Sequence, residues 1–290
     1  MTKSLDHPYR DLTGGLWLRG NLHAHALPAD RPFDLVSHYA QLGYAFLGIT
    51  EHDMFYSLED INDWNHQGII LIPGNEVSKG GPHILHVGAD RQIEPYEDRQ
   101  RVIDEINASS GFAIVNHPNT GLEFDQCSLE LMQQWRGYIG LEIFNANGFR
   151  AAGSAYATNK WDILLSQGRR LWGIASDDYH RPRDAGQGWL LAYVRERTRD
   201  GVLDALRQGR FYASTGVTID RIEVEGLHVR IETHDAHRIV ALCDSGRGFA
   251  MVDAHTLDVH VPDDATYIRF ECWGIGGRFA WTQPFWMVDE

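Results

Sequence analysis

Between residue 16 and about residue 210, short β-type runs alternate with helical patterns, and this alternation constrains the fold more than any other feature. Seven runs are predicted to be buried or half-buried strands with polar ends: LWLRGNLHAH, AFLGITEHD, IILIPGNEV, ILHVGAD, FAIVNHP, IGLEIFN and LWGIASDDYH. Such alternation is typical of a parallel sheet, and about seven strands in about 200 residues favour an irregular barrel of the TIM type. Helical spacing is seen at Phe33, Val36, Tyr39 and Ala40, at Val102, Ile103 and Ile106, and at Trp161, Leu164 and Leu165.

The pattern changes after residue 213. Segments such as RIEVEGLHVRIET, HRIVALC, LDVHVP and ATYIRFECWG alternate apolar and polar residues between Gly, Asp and Pro turn signals. No helical pattern interrupts them. The sequence therefore predicts two domains, an α/β domain over residues 1–213 and a small antiparallel, β-sandwich-like domain over residues 214–290.

Charge and cysteine content limit the partners and the compartment. The 290 residues include 26 Lys and Arg against 40 Asp and Glu, a formal net charge of −14. This charge disfavours binding to long nucleic acid, but a small phosphorylated substrate is compatible with it because bound metal ions invert the local field. Three irregularly spaced cysteines form no disulfide framework, and no apolar run approaches the roughly 20 residues of a membrane span. We expect a cytoplasmic protein without a membrane partner.

Side chains that bind metals collect at the ends of the predicted strands. The carboxyl ends of parallel strands meet on one face, so residues far apart in sequence are expected to converge there. About five imidazoles and three carboxylates suit divalent first-row metals and are too many for one ion, which predicts two or three ions. The candidates are His23, His25 and Asp30; His52 and Asp53; Glu76; His83 and His86; His117; and Asp178 and His180.

Strand parity narrows this set. His23 and His25 project to the same side of a strand, and so do Asp178 and His180, whereas Asp177 projects to the other side. His83 and His86 are three residues apart and cannot both face the cluster, and parity leaves the choice open.

Two further carboxylates have competing roles. Asp30 is either a ligand or a residue at the N-terminus of the helix that begins at PFDLV. Glu142 is either a group that orients a ligand or a contact to substrate.

At these residues the sequence resembles the PHP (polymerase and histidinol phosphatase) superfamily. The motifs NLHAHALPAD, GITEHD, PGNEV, PHILHVG, IVNHP and SDDYH occur in the family's order over about residues 16–185. GRFYASTG and AWTQPFW resemble the C-terminal segment of the CehA/McbA-like branch, which has a small β-domain after the barrel. The resemblance implies a distorted (β/α)7 barrel that holds two or three divalent ions, commonly Mn, Fe or Zn.

The resemblance also implies the ligand set. It favours His83 over His86, because the family's histidine lies five residues before the glycine of the segment H-x-x-x-x-G. The first motif departs from the family pattern, since Ala29-Asp30-Arg31 stands where Ser-Asp-Gly is usual. Carried over motif by motif, the ligands are His23, His25, Asp30, His52, Glu76, His83, His117, Asp178 and His180.

The predicted activity is metal-dependent hydrolysis of a phosphate mono- or diester of a small molecule or nucleotide, with a metal-bridging hydroxide as nucleophile. Glu76 is expected to bridge two metals and Asp53 to orient His52. With His180, Glu76 and Asp53 are the predicted catalytic residues.

The cations that would contact phosphoryl oxygens are predicted among three arginines that follow strand ends: Arg150, Arg181 and Arg183.

Two other functions compete with phosphoester hydrolysis. The CehA/McbA-like branch includes enzymes that cleave carbamate or amide bonds, and the same metal chemistry serves a carbonyl carbon. A metal-bound but non-catalytic module, with a β-domain that binds carbohydrate or protein, is the third hypothesis; the complete ligand set argues against it.

Overall fold

The structure, a computed structural model, describes residues 3–27, 32–64 and 67–289. Its α-helices are α1 (Pro32–Gln41), α2 (Leu58–Asn62), α3 (Arg99–Asn107), α4 (Leu129–Gln134), α5 (Thr158–Ser166) and α6 (Arg199–Arg207). The strands of the first part are β1 (Lys3–Asp6), β2 (Leu16–Asn21), β3 (Phe46–His52), β4 (Ile70–Val77), β5 (Ile84–Val87), β6 (Phe112–Val115), β7 (Gly140–Asn145), β8 (Trp172–Ser176), β9 (Trp189–Val194) and β10 (Phe211–Ser214). The remaining strands are β11 (Ile219–Glu225), β12 (His228–Thr233), β13 (Ala236–Cys243), β14 (Arg247–Val252), β15 (Thr256–His260), β16 (Tyr267–Gly274), β17 (Arg278–Trp281) and β18 (Phe285–Asp289).

The mixed α/β architecture is confirmed. The seven predicted strands are β2 to β8, and the three predicted helices are α1, α3 and α5. β2, β3 and β4 pair in parallel, as do β6, β7 and β8. β5 is antiparallel to both of its neighbours. Only residues 78–83 separate β4 from β5, fewer than the dozen or so that a parallel crossover needs, so β5 returns directly beside β4.

The expected closed (β/α)7 barrel is not confirmed. The large sheet is open, with β8 at one end of the order β1-β18-β16-β17-β10-β9-β2-β3-β4-β5-β6-β7-β8. At the free edge of β8, the side chain of Gln283 accepts the N–H of Gly173 at 2.8 Å and donates to its C=O at 2.9 Å. The Gln283 side chain thus makes the backbone hydrogen bonds at Gly173 that a neighbouring strand would make. Beyond β8, Tyr179 forms an isolated bridge with Ala24, where the N–H of His25 donates to the Tyr179 carbonyl at 3.0 Å.

The C-terminal strands are antiparallel throughout, and no α-helix interrupts residues 214–289. β11, β12 and β15 form a separate three-stranded sheet, while β13 pairs with β14 and β16. The large sheet continues into this region, because β10 pairs with β17, and β1 pairs with β18. The division of the chain into domains at residues 213 and 214 remains a prediction.

Apolar side chains of the central strands are buried in one cluster. It includes Phe46, Ile72, Ile114, Leu141 and Ile174. α3 and α5 cover the outside of the sheet with the apolar faces that their spacing predicted. The sheet therefore has a packed interior and presents its polar strand ends at one rim.

No described helix is long and apolar enough to cross a bilayer, and the longest, α1, has ten residues.

A buried ion pair joins the C-terminal strands to α5. Arg269 on β16 donates through Nε and Nη2 to the two oxygens of Asp162, each at 2.7 Å, and the Tyr267 hydroxyl donates to the same carboxylate at 2.7 Å. The Arg269 side chain is 1% exposed. Water cannot replace either partner at this depth, so the pair holds β16 in a fixed position against α5.

Replacing one member of this pair should destabilise the protein strongly. We expect Arg269→Met to lower the free energy of unfolding by about 3–5 kcal/mol, because it leaves the Asp162 carboxylate buried and unpaired. Urea unfolding followed by tryptophan fluorescence measures this. The matched control is Arg238→Met, which removes a half-buried arginine paired with the exposed Asp253 and should change stability little. Equal losses in the two variants would contradict the role given to Arg269.

Candidate metal centre

The structure brings the predicted metal ligands together at the carboxyl ends of the strands, as far as it describes them. Asp30 lies outside the described residues. The others come from segments that follow β2, end β3 and β4, precede β5, and follow β6 and β8. They are His23, His25, His52, Glu76, His83, His117, Asp178 and His180.

Glu76 lies at the centre of this cluster and is fully buried. Its Oε1 atom is 2.9 Å from His83 Nδ1, 3.2 Å from His117 Nε2 and 3.4 Å from His23 Nε2. Its Oε2 atom is 2.6 Å from His52 Nδ1. One carboxylate thus faces imidazoles from four separate segments, which requires those segments to fold around it.

Asp178 forms the second centre. Its Oδ1 atom is 3.2 Å from His25 Nε2, and 3.4 Å from both His23 Nε2 and His180 Nδ1. The Nε2 atoms of His23 and His25 lie 3.2 Å apart. Ring nitrogens that converge on one point in this way are typical of metal-binding histidines.

The donor set fits divalent cations. Three groups of ligand atoms lie within 4.8 Å of one another: His25, His52 and His180; His23, His25 and Asp178; and His52, Glu76 and His83. Imidazole and carboxylate are the ligands that first-row divalent metals take in proteins. In addition, the buried Glu76 Oε2 has no hydrogen-bond partner among the described residues, although His52 Nδ1 is so close. Two possible ligand atoms, Glu76 Oε2 and His52 Nδ1, that lie close together without a hydrogen bond are suited to binding the same ion.

The pKa shifts of the cluster residues also indicate a site that holds positive charge. Burial alone would raise the pKa values of Glu76 and Asp178, but the neighbouring His23 and other imidazoles hold both pKa values well below the usual range. Burial would lower the pKa of His23, yet Asp178, Glu142 and Glu76 raise it well above its ordinary value. For His25, burial again opposes its carboxylate neighbours, which raise the pKa to about 9. The buried carboxylates are ionised and need positive charge beside them, which protons or metal ions supply.

Glu142 orients two of the ligands. Its Oε1 accepts a hydrogen bond from His23 Nδ1 at 2.8 Å, and its Oε2 accepts from the His117 backbone N–H and from Asn145 Nδ2, both at 2.8 Å. The Ser176 hydroxyl also donates to it. Glu142 is only 1% exposed. Of the two predicted alternatives, this geometry favours the orienting role over a contact to substrate.

Glu51 orients His25 in the same way, and this role was not predicted. Its Oε1 atom is 3.3 Å from His25 Nδ1, and its Oε2 accepts the N–H groups of Ala26 and Leu27 at 2.8 Å. The residue stands directly before His52, so its place in the T-E-H-D run was the available signal. The sequence did not show that Glu51 contacts His25, because Glu51 lies on β3 whereas His25 follows β2.

Asp53, which was predicted to orient His52, is linked to it through Ser78. Asp53 accepts the Ser78 N–H at 2.9 Å, the Ser78 hydroxyl at 3.0 Å and the Lys79 N–H at 3.0 Å. The Ser78 Oγ atom in turn lies 3.1 Å from His52 Nδ1. Asp53 therefore acts on His52 through Ser78. At Asp53 the chain has a φ of 48°, which turns the carboxylate toward the segment after β4.

Backbone strain marks the same positions. Five non-glycine residues of the described chain have positive φ, and three of them are Asp53, His117 (φ 22°) and Asp178 (φ 49°). Such conformations persist only where the surroundings enforce them, and they concentrate at functional sites.

Two buried cations hold the loops that carry ligands. Arg99 on α3 donates to the carbonyls of Pro82 at 2.7 Å and Lys79 at 2.9 Å, and so fixes the segment before His83. Lys160 on α5 donates to the carbonyl of Pro118, next to His117, at 2.9 Å. Neither residue was predicted, because a cation that binds backbone carbonyls leaves no pattern in sequence.

The predicted substrate arginines lie beside the cluster. Arg150 Nη2 is 3.0 Å from Asp184 Oδ2, which also accepts the backbone N–H of His180 at 3.1 Å. Arg181 and Arg183 are exposed, and within the described chain no side chain pairs with either guanidinium.

His86 and Asp177 lie outside the cluster. His86 is buried with Nε2 2.9 Å from Ser109 Oγ, while His83 contacts Glu76. Asp177 accepts N–H groups from residues 186–188 and the Tyr39 hydroxyl, so it anchors a loop.

No family model matches the sequence, and no curated protein matches it. Among solved structures, it is similar to a two-domain protein from Bacteroides vulgatus that contains a predicted PHP-like metal-dependent phosphoesterase. The TM-score is 0.56 at 15% identity, and the alignment covers 99% of this chain and 98% of that one. The structure of PsfC from Pseudomonas syringae scores 0.47 at 12% identity, covering 71% of this chain and 88% of that one. The first similarity shows a shared fold over nearly the whole chain.

His86 makes stability depend on pH. Burial lowers its pKa from 6.5 to about 4, so the folded state binds fewer protons than the unfolded state, and stability falls as pH falls from 6.5 toward 4. The residue should account for about 2–3 kcal/mol of the stability lost between pH 7.5 and pH 4.5. Urea unfolding of wild type and His86→Gln at both pH values, with chelator present, isolates this contribution. The glutamine variant should lose less stability by that amount; an identical loss in both proteins would show that His86 is already charged or exposed.

Proposed function

We propose that the chain is a PHP-like metal-dependent hydrolase that cleaves phosphate mono- or diesters of small molecules. The observation that carries the proposal is the pair of buried carboxylates, Glu76 and Asp178, surrounded by imidazoles at the polar rim of an α/β sheet. The similarity in fold to a protein that contains a predicted metal-dependent phosphoesterase supports it. The motif resemblance further suggests the CehA/McbA-like branch.

Two or three divalent ions, Mn, Fe or Zn, are the proposed cofactors. The three sets of converging donors would hold them, with Glu76 shared between ions and Asp30 as a further ligand. When bound, such ions lower the pKa of water and neutralise the charge of a phosphoryl group.

The buried glutamates fix the protonation of the two innermost histidines. A proton on His23 Nδ1 is held by Glu142, and a proton on His25 Nδ1 is held by Glu51. With a cation bound, each ring would present an unprotonated Nε2 to the cluster, in place of the second proton that the raised pKa values indicate without it.

Exposure indicates the side from which substrate approaches. His23, His25 and Glu76 form the fully buried floor, whereas the side chains of His52 and His180 are 41% and 28% exposed. We place the substrate against this open edge, where His180 reaches the reacting group. Arg150 and Arg181 are the proposed contacts to the phosphoryl oxygens.

Metal content and turnover should fall together when His23 or His117 is removed. We expect His23→Ala and His117→Ala to lower the bound metal, measured by elemental analysis of protein purified without chelator, and to reduce turnover by about 100-fold or more. His234→Ala, which removes an exposed histidine between β12 and β13, is the control and should retain both. Full turnover by His23→Ala or His117→Ala would refute the assignment of these ligands.

A substrate panel separates the bond types. The protein, loaded in turn with Mn²⁺, Fe²⁺ and Zn²⁺, is assayed on aryl phosphate monoesters, aryl phosphate diesters and aryl carbamates with the same leaving group. We expect turnover of a phosphate ester, because the arginines beside the cluster provide charge for an anionic group. Turnover of carbamates alone would replace phosphoester hydrolysis with carbamate or amide hydrolysis, and metal binding without any turnover would favour a binding module.

A further inference from the structure

Exposed apolar side chains follow several of the strands that lead to the candidate metal centre. Of the nine large apolar side chains that are exposed in the described residues, five follow the carboxyl ends of β2, β3, β6 and β7. They are Leu27 after β2, Met54 after β3, Leu122 and Phe124 after β6, and Phe149 after β7. Phe124 is 57% exposed and has a φ of 58°, a strained conformation for a bulky residue. Exposed apolar groups gathered around a polar cluster indicate contact with an apolar part of a ligand.

One groove at this rim has the dimensions of a small-molecule site. Its volume is about 360 Å³, and it is lined by Phe149, Arg150, Arg183, Asp184, Gln187 and Ala146. Pockets that hold small ligands begin at about 300 Å³, so a single substituted ring fits.

The groove adjoins the metal centre. Asp184, in its wall, accepts the N–H of His180 at 3.1 Å. Ala146 stands between Asn145 and Asn147, which both donate to Asp178 Oδ2, at 3.3 and 3.1 Å. A substrate whose reacting group lies against His180 therefore extends its other end into this groove.

The side chains that line the groove indicate which chemical groups the bound end of the substrate carries. Phe149 is 61% exposed, and its ring is held edge-on by Phe144 at 5.6 Å and Tyr156 at 6.4 Å, which leaves a preformed aromatic surface. Arg150 is neutralised by Asp184, whereas no described side chain neutralises Arg183. The groove thus combines an aromatic wall with one uncompensated guanidinium, in a chain whose net charge is −14.

We propose that this groove binds the alcohol portion of the substrate, and that this portion is an aromatic ring with a negatively charged substituent. The inference rests on the proposed function: water adds to phosphorus, the P–O bond to the ring breaks, and the aryl alcohol is released from the groove. Phe149 contacts the ring and Arg183 pairs with the charged substituent.

The test compares kcat/KM for phenyl phosphate, 4-carboxyphenyl phosphate and 4-carbamoylphenyl phosphate, a neutral analogue of the second, in wild type, Phe149→Ala and Arg183→Gln. Arg183→Gln should lower kcat/KM for the carboxylate about tenfold relative to the carbamoyl compound, since one charge-assisted pair is lost. Phe149→Ala should lower kcat/KM for all three aryl esters about three- to tenfold. The matched controls, Arg247→Gln and Ile275→Ala, remove an exposed arginine of β14 and an exposed apolar residue of the turn between β16 and β17, and should match wild type.

Binding of two non-hydrolysable probes separates the inference from the proposed function. Calorimetric titration with benzylphosphonate and 4-carboxybenzylphosphonate should show tighter binding of the carboxylate, by about tenfold, and Arg183→Gln should abolish the difference. Equal binding of both probes, or variants that match wild type in binding and kcat/KM, would overturn the inference even if phosphate esters are hydrolysed. Preferential binding of the carboxylate by a protein that hydrolyses no phosphate ester would support the groove assignment and overturn the proposed reaction.

Discussion

The organisation of the rim depends on two ionised carboxylates, Glu76 and Asp178, that have been removed from water. A buried charge is costly unless positive groups compensate it, and here imidazoles from distant segments converge on both. Each segment contributes one or two of these groups, so the segments after β2, at the end of β3, before β5, and after β6 and β8 must all be in place at once. The site is a consequence of charge compensation at the carboxyl ends of a shared sheet.

That compensation requires a rigid frame, and the frame uses polar groups that are themselves buried. Glu142 and Glu51 contact the Nδ1 atoms of His23 and His25. Arg99 and Lys160 donate hydrogen bonds to backbone carbonyls of the loops that carry His83 and His117. On the far side, Gln283 secures the free edge of β8, the strand that leads to Asp178 and His180. The C-terminal strands therefore contribute to the geometry of the site although they supply no ligand among the described residues.

The sequence predicted which residues lie together at the rim because each motif carries its own local evidence; that they bind metal stays a prediction. Parity separated Asp178 from Asp177, and the structure places the first among the imidazoles and the second in a loop anchor. Strand parity did not decide which of His83 and His86 faces the cluster. The motif resemblance favoured His83, and the ring of His83 faces Glu76. The predicted role of Asp53 in orienting His52 stays a prediction, and the structure adds the intermediate that no motif showed, Ser78, which lies between the two side chains.

What the sequence determined by itself was the order of strands β2 to β8 with helices α1, α3 and α5 among them, and the residue types at the strand ends, because periodicity and local polarity are properties of short segments. The tertiary structure decided how those segments pair. It set β5 antiparallel, left the sheet open at β8 where Gln283 occupies the edge, and brought Glu51 to His25 and Phe149 to a groove beside Asp184. Such pairings depend on the lengths of connections and on contacts between residues far apart in the chain, and no local pattern records them.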